Sequence, residues 1–473
     1  MPALSTSAVA AAPALLLAAL ASCGQEARPP ATRTVIVITC DTLRADHLGA
    51  YGYTRPTSPH VDAFAADATT FDNAWTTAPM TAPALASMLS SRLPDEIGMG
   101  AGNVALLPPE VDTLPEILAR ENVETAAVVS NWVLRRPPPE FARAGLQQGF
   151  AHFDDQMKSK EVSRDFFDRS GAETTDAAIA WLESRHAAPD ARTFLWVHYQ
   201  DPHGPYTPPA ELEKLFESPP ANPELRLPLG KTQTGHRQLP LYQIRDGERR
   251  TRIYRDRYDA EIREFDEAFG RLIEWLKSAG LYESALIVFT ADHGESLGEH
   301  DYWFCHGENT YVEEVRVPLV VRFPSGARGV RRTELASLLD VFPTVIDAFG
   351  IEPQPCRGLS LFATSLPRDR IVPQSCSVEG RPDRWTAITS ESARLVSAVN
   401  VPPKLFDRAR DPVESSDLLA QEPARRAELL ARLETFLAAD PRPKVAHGIL
   451  RKNEDLDTVT RTVLQQLGYV EGN

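Results

Sequence analysis

The 473-residue chain is poor in cysteine: it has five, with no CxxC pair and no finger-like spacing. That excludes a disulfide scaffold and a cysteine-ligated zinc module. It has no basic excess either; 50 Lys and Arg against 65 Asp and Glu leave a net charge of −15. Non-specific nucleic-acid binding needs the opposite surface, so no nucleic-acid partner is expected. An anionic substrate is not excluded, because a bound cation reverses the local field. No internal repeat or low-complexity segment stands out, which excludes a solenoid. Beyond the first 22 residues no stretch is long and apolar enough to span a bilayer. What is present, 42% apolar and 24% charged residues, fits a globular protein with a sizeable core. The length suggests two domains, or one large domain with an appendage.

Residues 1–22 carry no charged side chain and centre on AAPALLLAAL. A run this short predicts a secretion signal rather than a membrane span. Leu20-Ala21-Ser22-Cys23 resembles a bacterial lipobox, so Cys23 is the expected lipidation site, although no Lys or Arg precedes the run. A plain secretion signal and a retained anchor are the alternatives. The expected location is the cell envelope, with the membrane reached through a lipid anchor only. Cys356 and Cys376 are candidates for pairing in an oxidising compartment; the alternative is that Cys40, Cys305, Cys356 and Cys376 are all unpaired.

Residues 23–32 read as a tether. TVIVITCD (34–41) then has β-branched residues without alternation, the pattern of a strand buried on both faces. Similar runs recur at 125–131, 193–201, 285–294 and 317–323. Between them, 176–185 and 258–280 carry apolar residues at helical spacing, the second closing on Gly280 as a C-cap. The alternation predicts an α/β fold: a mostly parallel central sheet with helices on both faces. Residues 205–250, rich in proline and polar residues, read as a surface insertion. The organisation expected is a catalytic domain over 33–352, a smaller C-terminal α+β subdomain over 353–440, and a tail over 441–473. Within the subdomain, 411–439 reads as a helix.

Ligands bind at the carboxyl ends of strands in such sheets. There the runs deliver Asp41, Asn131, His198 with Asp201 and His203, and Asp292-His293-Gly294-Glu295. A single Asp at such a place commonly caps the next helix. Several together, with paired histidines, predict a metal site. Thr81 stands two residues before Pro83, ahead of an apolar helical face. It reads as an N-cap, and also as a hydroxyl among free N–H groups where a tetrahedral anion binds. Beside a divalent cation such a hydroxyl becomes a nucleophile.

DTLRADHLGAYGY (41–53), TSPHVDAFAADATTFDNAW (57–75), FTADHGESLGEHDYWFCHGENTYVEEVRVPLVVRFP (289–324), ASLLDVFPTVIDAFGI (336–351) and LFDRARDPVESSDLLA (405–420) together resemble the sulfatase family of the alkaline phosphatase superfamily. The resemblance covers nearly the whole mature chain in order. It implies a metal beside the nucleophile, with Asp41, Asp292 and His293 matching metal positions and Thr81 the nucleophile position. His203 matches a substrate-side histidine, and His306 stands where many members have a substrate-binding lysine.

The chain departs from the family at four places. Sulfatases carry Cys or Ser, converted to formylglycine, followed by x-Pro-x-Arg; here the stretch is Thr81-Ala82-Pro83-Ala84-Leu85. Thr42 and His293 stand where calcium-type members have Asp and Asn. Asp41, Asp292, His293 and the Thr81 oxygen then suit one Zn²⁺ or Mn²⁺ better than Ca²⁺ or Mg²⁺. Threonine cannot form the aldehyde, so phosphoryl or phosphonyl transfer from a small anionic, glycan-linked or lipid-linked ester is expected. His203 or His306 would protonate the leaving group, and Asn131, His198 and Asp201 would contact substrate. His198, Asp201 and His306 could instead hold a second ion. Arg44 reads as a structural ion pair, and Glu295, Glu299 and His300 as loop hydrogen bonding. Sulfate-ester hydrolysis without formylglycine and an inactive binding lipoprotein are the rivals. Oligomeric state is open.

Overall fold

The computed structural model describes residues 31–100, 102–137, 144–157, 159–160, 167–186, 190–377, 384–445 and 449–450. The predicted leader with Cys23, most of the tether and most of the 441–473 tail lie outside them. No helix of the described residues is long and apolar enough to cross a membrane.

The uninterrupted apolar runs form the central sheet. Its strands are β1 (Thr34–Cys40), β2 (Thr69–Phe71), β3 (Glu124–Val129), β4 (His152–Asp154), β5 (Thr193–Tyr199), β6 (Leu286–Ala291), β7 (Leu319–Arg322) and β8 (Val330–Arg332), in the order β8-β2-β7-β6-β1-β5-β3-β4. Neighbours are parallel except β7, which runs against both β6 and β2. The sheet is therefore mostly parallel, as expected, with one reversed strand from the 317–323 run. β1, β5 and β6 are buried over nearly their whole length, which is why their sequences do not alternate.

Helices α1 (Pro59–Ala66), α2 (Thr81–Ser90), α3 (Leu114–Arg120), α4 (Gly171–His186), α5 (Ala210–Leu215), α6 (Thr251–Ser278) and α7 (Val341–Ala348) surround the sheet. Tyr199 of β5 bonds Thr175 of α4 and packs edge-on against Phe265 of α6. Its neighbour His198 points to the other face. α6 buries Tyr258, Ile262, Phe265, Phe269 and Leu272 along one stripe. It stops just before Gly280, whose φ of +70° is the left-handed conformation a C-cap needs.

Four antiparallel strands in sequence order, β9 (Ile371–Cys376), β10 (Trp385–Ser390), β11 (Ala393–Ala398) and β12 (Val401–Asp407), make a second, smaller sheet. Helix α8 (Pro423–Ala438) packs on it through Leu429. The helix predicted from 411 starts only at Pro423: the Asp411 carboxylate accepts the N–H groups of Ser415 and Ser416 and folds that stretch into a turn. Cys40, Cys305, Cys356 and Cys376 form no disulfide with one another, so the candidate Cys356–Cys376 bridge does not form.

Candidate active site

Parallel pairing of β1 with β6 sets Cys40 opposite Ala291, and the Asp292 N–H donates to the Cys40 carbonyl at 3.2 Å. The next residues, Asp41 and Asp292-His293, therefore leave the carboxyl edge side by side. Thr81 opens α2 above them. It is the first helical residue rather than the N-cap; that place belongs to Met80, whose side chain cannot cap. Its hydroxyl lies 3.5 Å from Asp41 Oδ2 and 3.4 Å from His293 Nε2. All four residues are fully buried.

The protons around this group can be assigned from its partners. His293 Nδ1 lies 2.9 Å from the Gly294 carbonyl, which only accepts, so Nδ1 carries the hydrogen and Nε2 a lone pair. Asp292 Oδ1 accepts N–H groups from Thr42 and His293. Asp41 Oδ2 accepts from Asn131 Nδ2. The remaining oxygens, Asp41 Oδ1 and Asp292 Oδ2, are buried, have no hydrogen-bond partner, and each stands 3.6 Å from His293 Nε2. Three buried electron-pair donors thus converge, their ligand atoms within 4.8 Å of one another. Left as they are, they repel; a divalent cation between them satisfies all three. The residues fit the metal. Burial dominates two of their acidities. Burial, then the Asp41 charge, pushes the Asp292 carboxyl well above the carboxylate range, and burial pushes His293 down.

Two further imidazoles continue the row. The His306 ring lies 4.5 Å from that of His293 and 5.1 Å from that of His203. His203 Nδ1 lies 2.6 Å from the Gly204 carbonyl, and His306 Nδ1 3.2 Å from Glu295 Oε1. Burial, with His293 beside it, drives His306 down to about 3, and burial drives Glu295 up to about 8. The 205–250 insertion supports the strand under His306: Tyr242 Oη and Gln243 Nε2 both donate to the Phe304 carbonyl.

Three predicted contacts are placed differently. Asn131 uses its amide on Asp41 and its carbonyl on the Val133 N–H, so both of its polar atoms are engaged within the protein. The Asp201 carboxylate turns away to the Gly171 N–H at the start of α4. His198 places Nδ1 on Thr39 Oγ1. The second-ion set of His198, Asp201 and His306 is therefore not assembled. Arg44 pairs with Asp46 and Glu299, each at 2.8 Å.

Asn103 is absent from the sequence reading. Its Oδ1 accepts the Ala82 N–H at 2.9 Å, capping α2 in place of Met80, while its Nδ2 is buried without a partner. The free N-terminal N–H groups of α2 are thus fewer than expected, since Asn103 takes that of Ala82 and Pro83 has none. No spacing signals Asn103; only the fold carries residue 103 to residue 82.

A hydroxyl set against an Asp-Asp-His cluster at the rim of a parallel sheet belongs to the metal-dependent ester hydrolases. The chain belongs to the sulfatase family: the family profile "Sulfatase" matches residues 33–351. It is 26% identical over 444 residues to the ulvan-active sulfatase of Formosa agariphila, covering 86% of this chain and 82% of that protein. Its fold matches a structure solved with the substrate D-glucosamine-2-N,6-O-disulfate, with TM-score 0.70, 20% identity, and 87% and 99% of the two chains covered. It also matches the phosphonate monoester hydrolase of Agrobacterium radiobacter, with TM-score 0.69, 21% identity, and 86% and 95% covered. The chain is an ester hydrolase of the sulfatase type.

Proposed function

We propose that the chain hydrolyses monoanionic esters, phosphonate monoesters or phosphodiesters before sulfates, with Thr81 as an unmodified nucleophile. The observation that carries this reading is the Thr81 hydroxyl, buried 3.4 Å from His293 Nε2 at the mouth of the Asp41–Asp292–His293 cluster. A threonine there cannot become formylglycine, so group transfer to the hydroxyl replaces aldehyde chemistry. Charge favours a monoanion: among the described residues no Lys or Arg pairs with Asp41, Asp292 or Glu295, and Arg44 is committed elsewhere.

Asp41 Oδ1, Asp292 Oδ2 and His293 Nε2 would hold one divalent ion, Zn²⁺ or Mn²⁺ by their mixed oxygen and nitrogen set. When bound, that ion supplies Lewis acidity that makes a neighbouring hydroxyl nucleophilic near neutral pH. Thr81 Oγ1 forms the bond to phosphorus, and the bond to the leaving oxygen breaks in line. His203, with Nδ1–H fixed on Gly204, enters as the imidazolium and gives its Nε2 proton to the departing alkoxide, while the Thr81 hydroxyl proton leaves to water. His306, held neutral, offers hydrogen bonding instead. Water then cleaves the phosphoryl- or phosphonyl-threonine. We place the enzyme in the cell envelope, anchored through Cys23, on the strength of the lipobox-like leader.

The test is an assay of purified protein with Mn²⁺ or Zn²⁺ on aryl phosphate, phosphodiester, phosphonate and sulfate esters. Turnover of the phosphonate or diester, with Thr81→Ala slowed about 10³-fold or more, is expected. Turnover of the sulfate alone overturns the preference. Sulfate-ester hydrolysis is the second reading, favoured by the names of the sulfatase relatives.

A further inference from the structure

His198 lies in the sheet beneath Asp41, fully buried, opposite Thr39 in the β1–β5 register. Trp196 Nε1, which only donates, bonds Thr39 Oγ1 at 2.9 Å. The Thr39 hydroxyl hydrogen then has two acceptors within reach: His198 Nδ1 at 2.9 Å and the Val197 carbonyl at 3.4 Å. Asp41 decides which way the Thr39–His198 bond runs: a lone pair on His198 Nε2 would face the Asp41 Oδ2 carboxylate oxygen at 3.6 Å, so Nδ1 accepts from Thr39 and the ring hydrogen sits on Nε2. That nitrogen has no hydrogen-bond partner and stands 3.6 Å from Asp41 Oδ2, the oxygen that already accepts from Asn131. Two N–H groups thus face one oxygen of Asp41, and neither faces the other.

We propose that His198 is a positioning residue for the metal ligand Asp41. The chain Trp196–Thr39–His198 fixes its tautomer, so that its Nε2–H, with Asn131, holds Asp41 Oδ2 and leaves Oδ1 turned to the cation. The inference rests on the metal site described above. It also gives the buried Thr39 and Trp196, otherwise ordinary strand residues, a role in that site. Partners that orient metal ligands commonly change affinity 10–100-fold when removed.

The experiment is Mn²⁺ titration of metal-free protein by calorimetry, beside thermal melting of each variant. His198→Phe raises the Mn²⁺ Kd about 10–100-fold. Thr39→Val, which keeps shape but removes the hydroxyl, raises it less and in the same direction. His198→Gln, which keeps an N–H donor, recovers part of the affinity. Should His198→Phe fail to fold, Thr39→Val decides the matter. Unchanged Kd in folded variants overturns the inference. So does a second Mn²⁺ equivalent in the unaltered protein that His198→Phe abolishes, because His198 would then be a ligand itself. An unaltered protein that binds no Mn²⁺ overturns the metal site, and the inference falls with it.

Discussion

Asn103 and Thr81 divide a task that one residue usually performs. A helix start needs a side-chain acceptor, and the role proposed for Thr81 needs its hydroxyl free of capping; here the acceptor comes from Asn103. Removing the acceptor tests this. Asn103→Ala is expected to cost about 1 kcal/mol, read as a lower melting temperature, whereas Asn103→Asp keeps the cap and the stability. Asp41, Asp292 and His293 were legible in the sequence because Asp41 and Asp292 directly follow unbroken apolar strands, with His293 next in line, so strand position alone puts them at the rim. The direction of a side chain beyond the strand end is not written in such a run. Asp201 illustrates this: its position suggested the site, but its carboxylate meets the start of α4 instead.

Elements were legible where burial was uniform and less so where local polar bonds compete. α6 extends seven residues earlier than the predicted start at 258, and its end beside Gly280 matches the expected cap. The segment before α8 was misread as helix because Asp411 folds it back. Helix α2 gains a brace no local pattern announces. Arg442 donates to the Ser90 and Ser91 carbonyls at 3.1 and 2.8 Å, capping the carboxyl end of α2 from a distant part of the chain. A guanidinium there meets two terminal carbonyls, that of Ser91 shared with the Arg357 N–H, and the negative end of the helix. Arg442→Ala is expected to destabilise the protein by about 1–2 kcal/mol in denaturant unfolding, whereas Arg442→Lys keeps part of that.

Across the whole molecule, the small sheet is tied to the catalytic domain by polar bonds as well as apolar packing. The buried Arg394 pairs with Glu414 at 2.5 Å and donates to the Thr310 carbonyl at 2.6 Å. Arg394→Met would leave Glu414 buried with its counter-charge gone, a loss of about 3–5 kcal/mol expected in equilibrium unfolding. Close by, His300 stacks on Tyr311 at 3.6 Å and bonds Glu313 at 2.9 Å. Burial alone would lower the imidazole, but the Glu313 hydrogen bond and charge, with Glu414 behind them, outweigh it and hold it above its ordinary value. A raised histidine stabilises the fold fully below its unfolded value and loses that contribution as pH rises through the folded one. Melting temperature should therefore decline from pH 6 upward across that step, and His300→Gln should flatten the decline. The Arg442 brace carries one more implication. A ribosome emits Thr81 and its helix early, and roughly 350 residues pass before the guanidinium that secures them is made. An interrupted translation product would therefore hold the Thr81 hydroxyl on a loose helix, so the finished site arrives late in synthesis.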